Sequence, residues 1–366
     1  MQMKKGGRKS IKREDRVEKA IPVLIGWYRE NRRELPFRAD PTPFHIWLSE
    51  IMLQQTRIEA ALPYYARFLA EVPDIASLAA LPDERLMKLW QGLGYYSRAR
   101  NLKKAAQTVC ERFGGELPAD AALLKKLPGI GDYTAGAIAS IAFGLPTPAV
   151  DGNVLRVMTR LLACPDDITL PETRKKIALL LSSHYPVGKE AGLLTEGLME
   201  LGESVCIPNG EARCNLCPLA FCCEAREKDK VNDFPVKAEK KERRIEEKTV
   251  LLLSCGDRFA IEKRPPGKLL ADLWQFPLLD GAYSGEEITS FLAGKGIKAE
   301  KISPCGKARH IFTHIEWKMT GFRVECFEKD GTFLWKTPSE IRDEYAIPSA
   351  FRYFRKQILA ESAEKS

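Results

Sequence analysis

The stretch Leu127–Gly144, LPGIGDYTAGAIASIAFG, places two glycines between two segments of helical pattern. Gly129 and Gly131 allow turns that other residues rarely adopt, and they let the backbone approach a ligand closely. A helix begins within two residues of the turn, so its free N–H groups would point outward and suit a phosphate of a nucleic-acid backbone. An ordinary helix–helix turn with small packing residues explains the stretch at least as well. On its own, the stretch predicts a helical hairpin.

On both sides of this hairpin the chain has the pattern of consecutive helices, from residue 16 to residue 225. Apolar residues recur every three to four positions, as in DERLMKLWQGL and ETRKKIALLLSSHY, and Pro or Gly separates the segments. The stretch 226–247 is highly charged and nearly free of aromatic residues, which is typical of a linker. We therefore predict an all-α region at 16–225 and a linker at 226–247.

After residue 248 the apolar periodicity changes. TVLLLSC and RFAIEKR are typical of two strands around a Gly-Asp turn, and IFTHIEWKMTGFRVECFEK is a further alternating stretch. EEITSFLAGKG, between them, has the pattern of a helix. Residues 248–360 are thus predicted to form a separate α+β domain, which makes the chain multidomain.

Length and charge set broader limits. The 366 residues are enough for two or three domains, and the net charge of +8 favours an acidic partner such as nucleic acid. Residues 1–15 are basic and predicted to be a disordered tail. That segment lacks the apolar core of a secretory signal, and no apolar run is long enough for a membrane span. We expect a reducing compartment: the cytoplasm of a bacterium or the nucleus of a eukaryote.

Five of the ten cysteines lie in VCIPNGEARCNLCPLAFCCEAREK. Seven residues separate Cys206 from Cys214, two separate Cys214 from Cys217, and four or five lead on to Cys222 or Cys223. Stable disulfides are disfavoured in a reducing compartment, so this spacing indicates a metal site. Four thiolates suit either a structural zinc ion or a [4Fe–4S] cluster, and the spacing does not decide between them.

Two carboxylates have two interpretations each. Asp151, with Asn153 close by, precedes an amphipathic helix, where it would serve as an N-cap or as a charge that faces a developing cation. Base rates favour the N-cap. Glu50 has mostly apolar neighbours, and burial would keep it protonated as a general acid. However, Glu50 shares a helix face with Gln54 and Arg57, which would also suit the solvent side.

In combination these segments are more specific than any one of them. LSEIMLQQT, GLGYYSRARNL, LPGIGDYTAGAI and VDGNV, followed by the cysteine loop, resemble adenine DNA glycosylases of the MutY type, in the helix-hairpin-helix glycosylase superfamily. The resemblance covers nearly the whole chain. It implies a [4Fe–4S] cluster bound by Cys206, Cys214, Cys217 and Cys223. The first cysteine gap is one residue longer than is usual in that family, so the loop must bulge.

The resemblance also implies an activity. Such a protein removes adenine paired with 8-oxoguanine or guanine in double-stranded DNA and leaves an abasic site in an uncut strand, the first step of base excision repair. In this interpretation Glu50 protonates the adenine and Asp151 stabilises the cationic sugar, while Tyr133 and Asn153 position these groups. The protein is expected to be a monomer, and its protein partners are unknown.

Further residues receive binding roles from the resemblance. Arg33 and Glu196 would border the adenine pocket, and Gln55 and Tyr95 would wedge into the duplex beside the oxidised guanine. Gly129 and Gly131 would hold the DNA backbone.

The C-terminal domain resembles the Nudix-like module that these enzymes use to recognise 8-oxoguanine. RPPGKLLADLWQFP and HIFTHIEW carry this resemblance. Phe312, Thr313 and His314 stand where the family often has Phe-Ser-His, and Thr keeps the hydroxyl. An active Nudix hydrolase would need a glutamate-rich metal box, and this region offers only the pair Glu286–Glu287.

Three alternatives are kept. An endonuclease III-like glycosylase and lyase would act on damaged pyrimidines, but its catalytic lysine is replaced here by Tyr133, which cannot form a Schiff base. A DNA-binding scaffold protein with structural zinc is the second alternative. A Nudix hydrolase fused to a DNA anchor is the third, and the incomplete metal box argues against it.

Overall fold

The computed structural model of the chain describes residues 12–238, 242–329 and 331–364. Most of the predicted N-terminal tail, residues 1–11, lies outside the described residues. Residues 13–15, which the sequence assigned to that tail, form the first turn of a helix, where Glu14 and Asp15 favour the helix N-terminus.

The described residues divide into two compact units. The first unit consists of residues 12–65, 72–80 and 101–238, and the second consists of residues 66–71, 81–100 and 242–364. Two segments of the helical half therefore belong with the C-terminal part of the chain. The predicted domain limits at 225 and 248 stay predictions.

The α-helices are numbered in chain order. The helices before residue 230 are α1 Arg13–Asn31, α2 Pro36–Ala39, α3 Pro43–Leu53, α4 Ile58–Glu71, α5 Ile75–Ala80, α6 Asp83–Leu89, α7 Ser97–Phe113, α8 Ala121–Leu124, α9 Asp132–Ala137, α10 Gly152–Leu161, α11 Pro171–Ser182, α12 Lys189–Ser204 and α13 Glu224–Glu227. The later helices are α14 Gly285–Gly294, α15 Pro338–Asp343 and α16 Arg352–Glu364. A π-helical turn, Ile138–Ala142, continues α9, and short 3-10 turns occur at Val231–Asp233 and Ser349–Phe351.

The second unit contains one sheet. Its strands are β1 Arg244–Cys255, β2 Arg258–Lys263, β3 Trp274–Gln275, β4 Leu278–Asp280, β5 Ala299–Ile311, β6 Ile315–Cys326 and β7 Leu334–Lys336. The main order is β3-β2-β1-β6-β5, with β4 paired to β1 and β7 paired to β2. The long strands β1 and β6 run parallel, and the other pairs are antiparallel.

Both faces of this sheet are covered by helices. Val250–Leu253 in β1 are each 0% exposed, because alternate residues pack against opposite layers. Val250 and Leu252 join a core with α15 and α16, whereas Leu251 and Leu253 join one with α14. An unbroken apolar run is what a strand buried on both faces requires.

The predicted fold class is confirmed: an all-α first part is followed by a domain of mixed α and β structure. The strands β1 and β2 and the helix α14 lie where the apolar patterns placed them. One stretch was misjudged, because IFTHIEWKMTGFRVECFEK is not one continuous element. Residues 312–314 form the turn between β5 and β6, and the Phe312 N–H donates to the Ile315 carbonyl at 2.8 Å.

Candidate active site

Glu50 lies near the end of α3, a helix whose side chains are almost all buried. Glu50 is 8% exposed, and its neighbours Trp47 and Leu48 are 0% exposed. The helix ends at Leu53, so Gln54 and Arg57 do not share a helix face with Glu50. Arg57 is exposed, whereas Glu50 is buried. An isolated buried carboxylate is costly to ionise, so the groups around Glu50 determine its protonation state.

Tyr133 is the direct partner of Glu50. It is the second residue of α9, immediately after the glycine turn, and its hydroxyl donates to Glu50 Oε2 at 2.5 Å. Burial, and then the charges of Glu50 and Asp151, raise the pKa of the Tyr133 hydroxyl well above its ordinary value. The phenol therefore stays neutral and remains a hydrogen-bond donor.

Burial raises the pKa of the Glu50 carboxyl to about 7. The charges of Asp151 and Glu196 act in the same direction, whereas the hydrogen bond from Tyr133 and the charge of Arg38 oppose it. A carboxyl with such a pKa is substantially protonated at neutral pH. It can therefore donate a proton as a general acid.

Asp151 caps α10 and stands at the same site. Its Oδ1 accepts from the Val154 N–H at 2.7 Å, and its Oδ2 accepts from Asn153 Nδ2 at 2.8 Å. Burial raises the pKa of Asp151, against the effect of these hydrogen bonds. The N-cap is thus present, and it does not exclude a chemical role, because the cap bonds fix the carboxylate and the helix end favours its charge.

Asn153 is held in turn by residues that the sequence did not single out. Its Oδ1 accepts from the Arg156 guanidinium at 2.7 Å, and this group also donates to the carbonyls of Gly202 at 2.6 Å and Cys206 at 2.7 Å. A Cβ on Gly202 would lie 2.6 Å from Asn153 Cβ. The close approach of α12 to α10 therefore requires a residue without a side chain at this position.

Arg33 and Glu196, both predicted to border the adenine pocket, pair with other residues. Arg33 contacts Glu200 at 2.5 Å and Glu203 at 2.6 Å, both on α12. Glu196 contacts Arg38 at 3.3 Å. The sequence missed Arg38 because α2 has four residues and no apolar periodicity that would orient it.

The glycine turn before α9 confirms one of two conformational expectations. Gly129 has φ +77°, and a Cβ there would lie 2.7 Å from Asn101 Cβ, so glycine is required. Gly131 has φ −93°, which any residue adopts, so the expectation of a special conformation is wrong there. No neighbouring atom lies within 4 Å of a Cβ built on Gly131, which leaves its backbone open to a ligand.

A groove of the first unit runs between this hairpin and α11. Its lining includes Lys125, Lys126, Arg174 and Lys175, and it reaches Tyr133. The groove therefore joins a basic surface to the partner of Glu50.

Four of the clustered cysteines line one small void. They are Cys206, Cys214, Cys217 and Cys223, whereas Cys222 is 0% exposed and packs in the apolar core. Burial and the neighbouring thiols raise the pKa of Cys217 to about 12. Thiolates at these positions would repel one another in the absence of a cation, as expected of a metal-binding donor set.

Within the described ranges, no three His, Cys, Asp or Glu side chains converge closely enough to hold a single metal ion. A four-iron cluster is larger than one ion and is bound by four separate thiolates around a central space. Four cysteines around one void provide the number of thiolates that such a cluster requires. Arg160 contacts this donor set, since its Nη1 lies 3.3 Å from Cys206 Sγ.

The second unit contains a recess around Tyr95. Phe312, Thr313 and His314, which form the β5–β6 turn, line this recess together with Tyr95. The Tyr95 hydroxyl lies 2.9 Å from Thr313 Oγ1, although the two residues are far apart in sequence. Tyr95 is 46% exposed and has φ +46°, a conformation that costs a non-glycine residue about 1 kcal/mol or more.

Gln55, the other predicted wedge residue, belongs to the first unit. It lies in the exposed turn after α3 and also has a positive φ, +58°. Both predicted wedges are therefore exposed side chains on strained turns.

The chain matches two family models. Residues 48–183 match the HhH-GPD superfamily of base excision DNA repair proteins, and residues 249–357 match the NUDIX domain. An adenine DNA glycosylase of Buchnera aphidicola subsp. Baizongia pistaciae is 32% identical over 86% of this chain and 89% of its own length. The chain belongs to the adenine DNA glycosylase family.

Another adenine DNA glycosylase and a solved structure are also similar to the chain. The adenine DNA glycosylase of Homo sapiens is 32% identical over 82% of this chain and 66% of its own length. Among solved structures, a non-covalent complex of endonuclease III with DNA is 26% identical, with a TM-score of 0.50, over 59% of this chain and 97% of that chain.

In the pair Glu286–Glu287 of the NUDIX domain, Glu287 has a structural role. Glu287 completes a capping box with Ser284 at the start of α14, so this carboxylate is bound to the backbone at the helix end.

No helix among the residues that the structure describes is long and apolar enough to cross a membrane.

Proposed function

We propose that the protein is a monofunctional adenine DNA glycosylase of base excision repair. It hydrolyses the N-glycosidic bond of adenine paired with 8-oxoguanine or guanine and leaves an abasic site. The observation that carries this proposal is the buried Glu50, which shares a hydrogen bond with Tyr133 and lies in the field of Asp151. Membership of the adenine DNA glycosylase family supports the same activity.

The chemistry begins when the adenine leaves the base stack, because no protein group reaches its sugar inside a duplex. Glu50 then transfers its proton to N7 of the adenine. The bond between the sugar C1′ and the base N9 breaks, and its electron pair leaves with the neutral adenine. A water molecule adds to C1′ and gives a proton to the Glu50 carboxylate, which completes the hydrolysis and restores the protonated acid.

Asp151 stabilises the sugar while it carries positive charge. Its bonds from Val154 and Asn153 fix the carboxylate before the reaction starts, so little reorganisation is needed in the transition state. Tyr133 keeps Glu50 in place and cannot replace the lysine of a lyase, because a phenol forms no Schiff base. The strand should therefore remain intact after base release.

The DNA partner is proposed to lie along the basic groove of the first unit. Lys125, Lys126, Arg174 and Lys175 would neutralise phosphates there, and Gly131 leaves its backbone open beside them. We assign the working form as a monomer on double-stranded DNA, in the nucleoid of a bacterium or the nucleus of a eukaryote.

Recognition of 8-oxoguanine is assigned to the recess of the second unit. Tyr95, Phe312, Thr313 and His314 line it, and the exposed, strained conformation of Tyr95 suits a wedge that replaces lost stacking. Gln55 would act as the second wedge from its own strained turn.

We propose a [4Fe–4S] cluster at the cysteine void. Cys206, Cys214, Cys217 and Cys223 would bind it, and Cys222 would stay in the core. The cluster would serve as a structural element, since hydrolysis needs no electron transfer.

The decisive experiment uses a duplex with one adenine–8-oxoguanine pair, labelled on the adenine strand. Half of each reaction is stopped at neutral pH and half with hot alkali. We expect a break at the adenine only after alkali, because an abasic site survives neutral conditions. A break without alkali would indicate lyase activity. Cleavage of damaged pyrimidines in place of adenine would assign the chain to the endonuclease III type.

A further inference from the structure

One buried carboxylate of the first unit has no part in the chemistry above. Glu200 lies on α12, four residues after Glu196 and three before Glu203, so the three share one helix face. Its side chain is 2% exposed, whereas that of Glu203 is 41% exposed. Arg33 and Arg38 lie against this face.

Glu200 bridges the two guanidinium groups. Its Oε1 accepts from Arg33 Nε at 2.5 Å, and its Oε2 lies 2.8 Å from Arg38 Nη1. The same Nη1 donates to the Arg33 carbonyl at 3.2 Å. Each carboxylate oxygen thus contacts a different arginine, and these two contacts fix the positions of the arginines relative to each other.

Stability alone does not account for this bridge. The desolvation of a buried ion pair costs about as much as the pair gains, so apolar side chains would fill the space equally well. The bridge does fix the orientation of a planar, forked group. Arg38 lies over the ring of Tyr28 at 5.4 Å, and its Nε faces Glu196 at 3.3 Å.

Arg38 connects the bridge to the proposed acid. Besides burial, four groups shift the pKa of Glu50: Tyr133 of α9, Asp151 at the start of α10, Glu196 of α12 and Arg38 of α2, a helix that packs against α3. The charge of Arg38 lowers the pKa of Glu50, and that of Glu196 raises it. Arg38 pairs with both Glu196 and Glu200, and how closely it approaches each of them therefore affects the pKa of Glu50.

We infer that Glu200 is a positioning residue of the adenine pocket, which holds Arg38 partly away from Glu196 and keeps Arg33 beside it. This inference rests on the proposed function and adds a residue that touches no substrate. Without the charge of Glu200, Arg38 would pair fully with Glu196. The charge of Arg38 would then offset that of Glu196 more completely, so the pKa of Glu50 would fall and Glu50 would lose its proton at lower pH.

The test compares Glu200→Gln with the matched control Glu203→Gln, which removes a carboxylate from the same helix face and from the surface side of Arg33. Single-turnover adenine release is measured across pH for each variant, together with duplex affinity. We expect the alkaline fall in rate to begin at lower pH in Glu200→Gln, with about tenfold slower release above neutrality for a shift of one pH unit. The control should keep the wild-type profile, and duplex affinity should change little.

Other outcomes would overturn the inference. Identical pH profiles for the two variants would do so, and so would an equal loss of rate at every pH, which indicates a structural role only. If Glu200→Gln failed to fold by circular dichroism, Glu200→Asp would replace it, because aspartate keeps the charge but is too short to reach both arginines. A wild-type profile in Glu200→Asp would then refute the inference. A wild-type protein that released no adenine would instead refute the proposed function, and the inference with it.

Discussion

The carboxylate site of the first unit and the recess of the second unit are built in opposite ways. Glu50 is 8% exposed and meets Tyr133 in the protein interior, whereas Tyr95 is 46% exposed and meets Thr313 at an open recess. At the carboxylate site, burial makes the protonation state of Glu50 the property that controls activity. Water competes with every contact at the second, so single hydrogen bonds there contribute about 1 kcal/mol. We therefore expect changes in the first unit to affect rate and changes in the second to affect discrimination.

The largest effect is expected from Glu50→Gln. The variant loses the transferable proton but keeps the shape of the side chain, so adenine release should slow by roughly 10²–10⁴-fold while duplex binding persists. Single-turnover assays and gel-shift titrations measure the two quantities. Glu59→Gln, an exposed glutamate on the next helix, is the control and should behave as wild type. Full activity in Glu50→Gln would remove the acid from the mechanism.

Asp151→Asn should follow, with a loss of about 10²–10³-fold in the rate of base release. Asparagine still caps a helix, so the change removes the charge that faces the sugar and leaves the cap. Asp120→Asn is the matched control, because Asp120 caps α8 through bonds from the Ala122 and Leu123 N–H groups. Near-normal turnover in Asp151→Asn would reduce Asp151 to its capping role.

The pH profile tests the buried site more gently. With the pKa of Glu50 raised to about 7, its protonated form predominates below that pH, so the rate should fall about tenfold per unit above it. The pKa of Asp151 is also raised, and the mechanism needs its ionised form. The rate should therefore also fall at acid pH, and this fall should begin at a pH above the ordinary pKa of an aspartate. Tyr133→Phe removes a bond that favours ionised Glu50 and should move the alkaline limb to higher pH. A flat profile through neutrality would contradict this mechanism.

The smallest effect is expected in the recess. Thr313→Val removes the hydroxyl that meets Tyr95 and should reduce the preference for 8-oxoguanine over guanine by about fivefold, whereas Thr313→Ser should keep it. Rates on the two mispairs, measured in a double-mutant cycle with Tyr95→Phe, give the coupling between the hydroxyls. Independent effects of the two substitutions would show that the contact has no role in recognition.

Point substitutions test the recess more specifically than deletion of the C-terminal part of the chain. Deletion of the residues after about 240 should also weaken the preference for 8-oxoguanine. However, the segment 81–100 packs within the same unit: Gln91 Nε2 donates to the Ile347 carbonyl at 2.7 Å, and Lys88 Nζ donates to the Tyr345 carbonyl at 3.1 Å. A deletion would therefore also expose the segment that carries Tyr95.

The secondary structure was predictable where one periodicity dominated. The unbroken apolar run of β1 reflects burial on both faces of its sheet. The helical spacing of the first part reflects burial of one face of each helix. Strand β5 was not predicted, because Pro304 and Gly306 interrupt its alternation at a bulge. The β5–β6 turn was missed since Phe312, Thr313 and His314 continue the alternating pattern and include none of the usual turn residues.

The sequence by itself determined the order of the parts: an all-α region with a glycine hairpin, a four-cysteine loop and a domain of mixed structure. It also located Asp151 as a helix cap and Gly129 as a required glycine, because these depend on local backbone geometry. Only the tertiary structure decided that Glu50 is buried, that Tyr133 donates to it, and that Arg38 lies between Glu196 and Glu200. Those facts depend on which distant segments pack together, and burial and charge act through space.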